Sequence, residues 1–336
     1  MLRVSDLRTS FQTDDGIFEA VAGVTFDVAR GESVGIVGES GCGKSVLVRS
    51  IMRLLPRSAT MAGHVVLGGR DVGSLSKVER KHFWGPEVSM IFQDPQSSLN
   101  PVRKIGQQIT DPLKYHLGLT PRRARVRAVE LLNLVQIPAA ESRLNQYPHE
   151  LSGGMRQRIM IAIALSCQPK LLIADEPTTA LDVTVQKQIL DLLGQLQRDL
   201  NMAYLLITHD LSVVAGRTSR TLVMYAGQVA ELASSVDLFD RPRHPYTEAL
   251  LQSIPRLQDP PHTRLRTIAG RPPSIAERLV GCRFAQRCRY VAPCCATDAP
   301  LLEGPTPDHL YACHFPVHHA DGARTMESPV RRTAQQ

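Results

Sequence analysis

Gly38-Glu39-Ser40-Gly41-Cys42-Gly43-Lys44-Ser45 sets three glycines, a lysine and a serine at the spacing of a phosphate loop. Glycines there let successive backbone N–H groups turn inward and form a concave anion nest. Gly38, Ser40, Gly41, Cys42 and Gly43 are therefore the expected cradle of a nucleotide. Lys44 is expected to reach its β- and γ-phosphates and Ser45 to bind Mg²⁺. Cys42 reads as a small side chain within the loop that an alkylating reagent can reach. Asp175-Glu176 follows the apolar run Leu171-Leu172-Ile173-Ala174. Such a pair stands at the carboxyl end of a strand, where α/β sheets collect ligands. Asp175 is expected to hold Mg²⁺ through water, and Glu176 to act as general base for an attacking water. Gln93, after a further apolar strand, can orient that water and touch Mg²⁺ without adding charge. His209, at the end of Ala203–Thr208, can donate to a γ-phosphate.

A second group of chemistry-bearing residues lies near the other end. Cys282, Cys288, Cys294, Cys295 and Cys313 crowd together, whereas Cys42 and Cys167 stand alone. Five, six and seventeen residues separate Cys282, Cys288, Cys295 and Cys313. This is not the Cys-x-x-Cys spacing of a zinc ribbon. In a chain read as cytosolic, such a cluster is more often a metal or redox site than a disulfide framework. Packed, reduced thiols are the other reading that the residues leave open.

The elements that must position these groups follow from periodicity. Val21, Val24, Phe26 and Val28, then Ser33–Val37, read as strands. A helix from Ser45 to Met52 follows the phosphate loop, and Val65–Leu67 before Gly68-Gly69 reads as strand and turn. From about Pro101 to Ser166 the period becomes helical. Thr120 is the expected N-cap of a helix that begins with Pro121. Val126, Val129, Leu132 and Val135 then share one face, and Arg122, Arg123, Arg125 and Arg127 form a solvated run. Leu171–Ala174 and Ala203–Thr208 read as buried parallel strands about a helix from Thr184 to Leu200. Strand, helix, strand in this rhythm predicts an α/β core with right-handed crossovers. Beyond Pro255 prolines thicken (Pro260, Pro261, Pro272, Pro273) and mark a linker into a small cysteine-bearing module. Residues from Asp321 to Gln336 read as a disordered tail.

Length and charge bound the answer. The chain has 336 residues, enough for one large domain with an appendage, and a formal net charge of +7, a modest excess. The charge permits nucleic-acid contact without arguing for it. No apolar run approaches the roughly 20 residues of a membrane helix, and Met1–Asp6 reads as a strand start and not as a secretory leader. A role at a membrane would therefore run through other chains.

Between the phosphate loop and the acid pair stands Leu151-Ser152-Gly153-Gly154-Met155-Arg156-Gln157-Arg158. This octet resembles the signature of the ATP-binding cassette (ABC) family. The order phosphate loop, Gln93, signature, Asp175-Glu176, Ala180-Leu181-Asp182, His209 matches that family from about residue 1 to 255. The resemblance implies a RecA-like α/β P-loop ABC nucleotide-binding domain at 1–255, with an inserted helical subdomain at about 95–165. It implies that Ser152, Gly153 and Gly154 hold the γ-phosphate of ATP bound to another subunit, helped by a helix N-terminus. It implies that Asp182 lies on the loop crossing the dimer interface. It also implies that Phe11 stacks on adenine, with Phe18 as runner-up because Asp14-Asp15-Gly16 looks inserted.

Three finer stretches are similar to oligopeptide and dipeptide importers: Ile91–Pro101, His244–Thr247 with Ala249–Leu251 and Ile254-Pro255, and Gly281–Cys288 with Cys295 and Cys313-His314. Within that group the chain looks like the D-type ATPase. The likeness implies an F-type ATPase partner in a heterodimer, two transmembrane permeases, an extracytoplasmic solute-binding protein, and a place at the cytoplasmic face of the membrane. It implies ATP and Mg²⁺ as cofactors and a C-terminal module at 256–320 with a [4Fe–4S] cluster on Cys282, Cys288, Cys295 and Cys313. Zinc is the alternative metal, and for either metal Cys294 is the substitute for Cys295 and His314 for Cys313. A nickel complex or other solute is the alternative cargo. A soluble ABC ATPase acting on nucleic acid or the ribosome fits less well. There is a single cassette, Lys44 to Ser152 leaves no room for a long coiled coil, and Trp84 is the only tryptophan.

Overall fold

Continuous apolar runs, buried on both faces, lay down the parallel strands that carry the acid pair. The computed structural model describes residues 1–13, 16–94, 98–179, 181–255, 267–273, 280–320 and 323–326. Strands in chain order are β1 (Leu2–Thr13), β2 (Gly16–Val28), β3 (Ser33–Val37), β4 (Ala59–Leu67), β5 (Arg70–Asp71), β6 (Val88–Ile91), β7 (Leu171–Asp175), β8 (Ala203–Thr208), β9 (Arg220–Tyr225), β10 (Gln228–Ser234), β11 (Glu303–Thr306), β12 (His309–Tyr311), β13 (Val317–Ala320) and β14 (Ala323–Met326). Helices are α1 (Lys44–Ile51), α2 (Lys77–Phe83), α3 (Ile105–Leu117), α4 (Pro121–Leu134), α5 (Ala140–Arg143), α6 (Gly153–Leu165), α7 (Val183–Asp199), α8 (Leu211–Val214), α9 (Ser235–Asp240), α10 (Pro245–Gln252) and α11 (Pro293–Thr297).

The chain forms two compact units. The first comprises Met1–Arg3, Asp27–Ser33 and His64–Ile207. In it β7 lies parallel to β6 and to β8, with Ile173 opposite Met90 on one side and Leu205 on the other. All five residues of β7 are buried. Each large aliphatic side chain hidden this way is worth about 1.5–3 kcal/mol. The helices α3, α4 and α6 pack together in the same unit. Thr120 caps α4 as expected, its hydroxyl accepting from the Arg123 amide. The buried face of α4 is the expected one at Leu132 and Val135 and differs at Val126. Ala124, Ala128, Leu131, Leu132 and Val135 are buried, whereas Val126 is 56% exposed. Small alanines at the 3.6-residue period let a neighbouring helix approach, and the β-branched Val126 is turned to solvent. Arg158 donates to the carbonyl of Val135 at 2.8 Å, fixing α6 to the end of α4.

The second unit comprises Val4–Phe26, Val34–Gly63 and Thr208–Gln336. β1 and β2 are neighbours in one sheet, and β3 lies parallel to β9. β10 pairs antiparallel with β9 and with β12, and β12 pairs with β11. The cysteine-bearing segment thus adds strands directly to a sheet begun by residues 34–37 and 220–234. Buried Glu231 secures the join by accepting from the amides of Arg243 (2.8 Å) and His244 (2.9 Å), with His309 Nε2 2.7 Å away. Phe284 packs on Tyr225, Tyr246 and His244. Within the expected tail, β14 pairs with β13. Residues 321–322 and 327–336 lie outside the described residues, as do Asp14, Asp15, Pro95, Gln96, Ser97, Ala180, Pro260 and Pro261 of the motifs and linker read above.

Candidate functional site

The second unit builds the phosphate loop. β3, buried along its whole length, delivers the chain to Gly38, and α1 leaves it at Lys44. Gly43 caps α1 with φ 102° and no side-chain cap bond. A β-carbon there would collide with the carbonyl of Ala20, and one at Gly38 with that of Met224. Both positions therefore exclude any larger residue. Lys44 is buried, and its ammonium donates to the carbonyls of Gly38 (2.7 Å) and Glu39 (2.9 Å). These bonds hold the cation inside the curve of the loop. Ser40 and Gly41 are exposed and Ser45 is half-buried. Cys42 corrects the expectation of reagent access. It is 6% exposed, and burial pushes its thiol up despite nearby Lys44, so little reactive thiolate forms. His209 is exposed, and the following Asp210 caps α8 by accepting from the Ser212 amide at 2.8 Å. Phe11 on β1 and Phe18 on β2 are both half-buried, so exposure does not separate them.

The first unit brings the acid pair and the glutamine together. Gln93 follows β6, Glu176 follows β7, and these strands are neighbours. Gln93 Nε2 donates to Glu176 Oε2 at 2.8 Å, and Thr179 Oγ1 donates to the same oxygen at 3.1 Å. Asp175 is buried, 1% exposed, at the last position of β7. Glu176 has φ 47°, the left-handed region that non-glycine residues seldom occupy. Its amide donates to the carbonyl of Ile207 at 2.9 Å, which fixes this turn. Strain of this kind gathers at active sites.

Ser152 is the N-cap of α6, its hydroxyl accepting from the Met155 amide at 3.3 Å. Ser152 and Gly153 are exposed, and the first turn carries no acid. The positive end of a thirteen-residue helix is thereby presented to solvent. Asp182 caps α7 by accepting from the Val185 amide at 2.9 Å. A β-carbon on Gly154 would stand 2.8 Å from Val185, so glycine is what lets signature and Asp182 turn approach.

Cys282, Cys288, Cys295 and Cys313 all line one small cavity, with Phe284, Tyr290 and His314. Every cysteine is a free thiol. Burial, with a smaller push from neighbouring cysteines, raises Cys288 to about 11 and Cys313 to about 12. Four thiols on one cavity are the donor set that an iron–sulfur cluster or zinc requires. Among the described residues, however, no three His, Cys, Asp or Glu side chains are arranged to hold a metal ion. Cys294 does not line the cavity, whereas Cys295 does, so Cys294 does not take its place there.

Glu39 has partners that no local sequence pattern announces. Its amide donates to Tyr246 Oη at 2.9 Å, and its carboxylate takes both guanidinium nitrogens of Arg287 at 2.6 and 3.0 Å. Arg287 beside a cysteine and Tyr246 within His-Pro-Tyr were the only signals available.

A phosphate loop between strand and helix, and an acid pair ending a parallel strand, define a P-loop nucleoside triphosphatase. Residues 21–179 match the ABC transporter family, and residues 230–295 match the oligopeptide/dipeptide transporter C-terminal region. The chain is 49% identical, over 93% of its length and 94% of the relative's, to a probable peptide ABC transporter ATP-binding protein, y4tR, of Sinorhizobium fredii. It is 46% identical to the oligopeptide transport ATP-binding protein OppD of Salmonella typhimurium, covering 94% of each. It is 47% identical to the dipeptide transport ATP-binding protein DppD of Escherichia coli, over 95% of this chain and 98% of that one. The solved dimeric ATP-binding cassette MJ0796, in a post-hydrolysis state with ADP and Pi, superposes with TM-score 0.62 at 28% identity, over 70% of this chain and 99% of that one. The chain belongs to the ABC transporter family of ATP-binding subunits. It is an ATPase that uses ATP with Mg²⁺ and has the ABC cassette fold.

Proposed function

We propose that this chain is the ATP-hydrolysing subunit of a membrane importer for peptides. What carries the reading is one chain that combines the ABC motifs with the C-terminal region of peptide transporters, alongside relatives named for peptide transport at 46–49% identity. In this reading residues 1–255 are the ATPase domain, with a helical subdomain at about 95–165, and residues 256–320 are an appended module. The loop from Gly38 to Ser45 cradles the phosphates, with Lys44 on the β- and γ-phosphates. Ser45, Gln93 and Asp175 serve Mg²⁺. Glu176 takes the proton of the attacking water, His209 donates to the γ-phosphate, and Phe11 stacks on adenine.

Ser152, Gly153, Gly154 and Asp182 serve ATP held by a second ATPase subunit. Their support is the acid-free, exposed start of α6. ATP then joins two subunits head to tail, and hydrolysis releases them, a two-state element biased by the γ-phosphate. Among the described residues no helix is long and apolar enough to cross a membrane. We assign the chain to the cytoplasmic face, docked on two permeases, paired with an F-type ATPase and fed by an extracytoplasmic binding protein. Cys282, Cys288, Cys295 and Cys313 are the residues that would hold a [4Fe–4S] cluster, which supplies electron-transfer or structural chemistry when bound. Metal analysis of anaerobically prepared protein tests this, and the absence of iron removes the cluster.

Affinity capture of the tagged chain from detergent-solubilised membranes tests the main reading. Two permeases and a second ATPase should accompany it in fixed ratio. Recovery of the chain with ribosomes or nucleic acid, and without permeases, would overturn the importer reading.

A further inference from the structure

Glu39 places a carboxylate inside a loop whose task is to bind a polyanion. Such a group repels phosphate unless a cation neutralises it. Arg287 does so with two nearly parallel bonds, at 2.6 and 3.0 Å, from a guanidinium whose side chain is only 4% exposed. That guanidinium is fixed from further sides: Nε donates to the carbonyl of Ala269 at 2.9 Å, and Nη1 stands 3.3 Å from Tyr225 Oη. The remaining polar groups of Glu39 are also engaged. Its amide donates to Tyr246, and its carbonyl accepts from Lys44. Arg287 lies on the turn Ala285–Arg287, between Cys282 and Cys288, far outside the nucleotide motifs.

We infer that Arg287 of the C-terminal segment is a positioning residue for ATP, which acts by neutralising the Glu39 carboxylate within the phosphate loop. The inference rests on the assignment of Gly38–Ser45 as the ATP site. It gives the cysteine-bearing segment a direct part in nucleotide affinity. A bidentate pair with one partner buried is costly to break from one side only, because the other charge is left alone.

The test is binding of a fluorescent ATP analogue (mant-ATP with Mg²⁺) to the full chain, with a melting curve for each variant. Arg287→Met should weaken binding on the order of tenfold, because the loop then carries an unneutralised carboxylate. The double variant Glu39→Gln/Arg287→Met should recover to within about threefold of wild type by removing the stranded charge. A purely structural arginine would not be rescued by a change at Glu39. Unchanged affinity in Arg287→Met, or a double variant as weak as the single, overturns the inference. Glu39→Gln alone serves if the methionine variant does not fold. With Arg287 left in excess, binding should tighten, and weaker binding counts against the idea. Lys44→Ala separates the two layers: if it binds as wild type does, the ATP-site assignment fails and the inference falls with it, whereas if it loses binding, the Arg287 variants alone decide the role of Arg287.

Discussion

Replacing Glu176 by glutamine changes one atom and removes the chain's proposed base. Glu176 Oε2 accepts from Gln93 Nε2 at 2.8 Å and from Thr179 Oγ1 at 3.1 Å. Glutamine keeps the shape and an acceptor oxygen, so both partners stay bonded. Hydrogen bonds to charged groups contribute about 1.5–3 kcal/mol, against about 0.5–1.5 for neutral ones, so with two bonds the fold should lose no more than about 2–3 kcal/mol. Removing a general base slows turnover by on the order of 10²–10⁴-fold, or about 2.7–5.4 kcal/mol of barrier. Against a typical stability of about 5–15 kcal/mol that loss of stability leaves the variant folded, and it should bind MgATP with near wild-type affinity. It should also accumulate ATP-joined subunit pairs. Single-turnover phosphate release from the assembled importer reads the first effect, and size-exclusion chromatography with ATP reads the second. Phosphate release within about threefold of wild type would refute the assignment of Glu176 as base.

Two further outcomes follow from the second unit. Burial lowers His244 to about 4, with Glu231 opposing, while the unfolded residue titrates near 6.5. The folded form therefore resists protonation: the contribution is whole above pH 6.5 and is lost as pH falls toward 4, by up to about 3 kcal/mol. His244→Asn keeps a cap acceptor for the Tyr246 amide, which His244 Nδ1 now takes at 3.0 Å, and should flatten this acid limb in urea titrations. An unchanged slope between pH 7 and 5 would remove His244 as its source. Gly43→Ala forces a β-carbon onto the Ala20 carbonyl at φ 102°. It should cost about 1–3 kcal/mol and abolish nucleotide binding, and wild-type melting with intact binding would contradict the loop geometry.

The parallel strands were legible because β7 and β8 are buried on both faces and so read as unbroken apolar runs. The phosphate loop was legible because its glycines answer to local backbone demands. Periodicity places Leu132 and Val135 on the buried face of α4 but also gives weight to Val126, where packing chose Ala124 and Ala128. Small side chains carry little hydrophobic signal, yet they set how closely helices approach. The left-handed turn at Glu176 left no mark, since no glycine stands there. The bonds from Glu39 to Tyr246 and Arg287 join residues 207 and 248 positions apart, beyond the reach of any local pattern. The cysteines were countable in the sequence, but their shared cavity depends on the amide of Cys282 meeting the carbonyl of Cys295 at 2.8 Å and on β12 joining β10.

The central claim is that this subunit's signature completes a partner's ATP site. Steady-state ATP hydrolysis by the assembled importer carrying Ser152→Arg tests it most directly, with mant-ATP binding to the isolated variant measured alongside. The bulky cation at the start of α6 should lower turnover on the order of 10²-fold, comparable to losing one stabilising group at a reacting centre, while binding to the variant's own phosphate loop stays at wild-type strength. Full turnover by the Ser152→Arg importer, or full turnover by a single isolated subunit, would contradict the account.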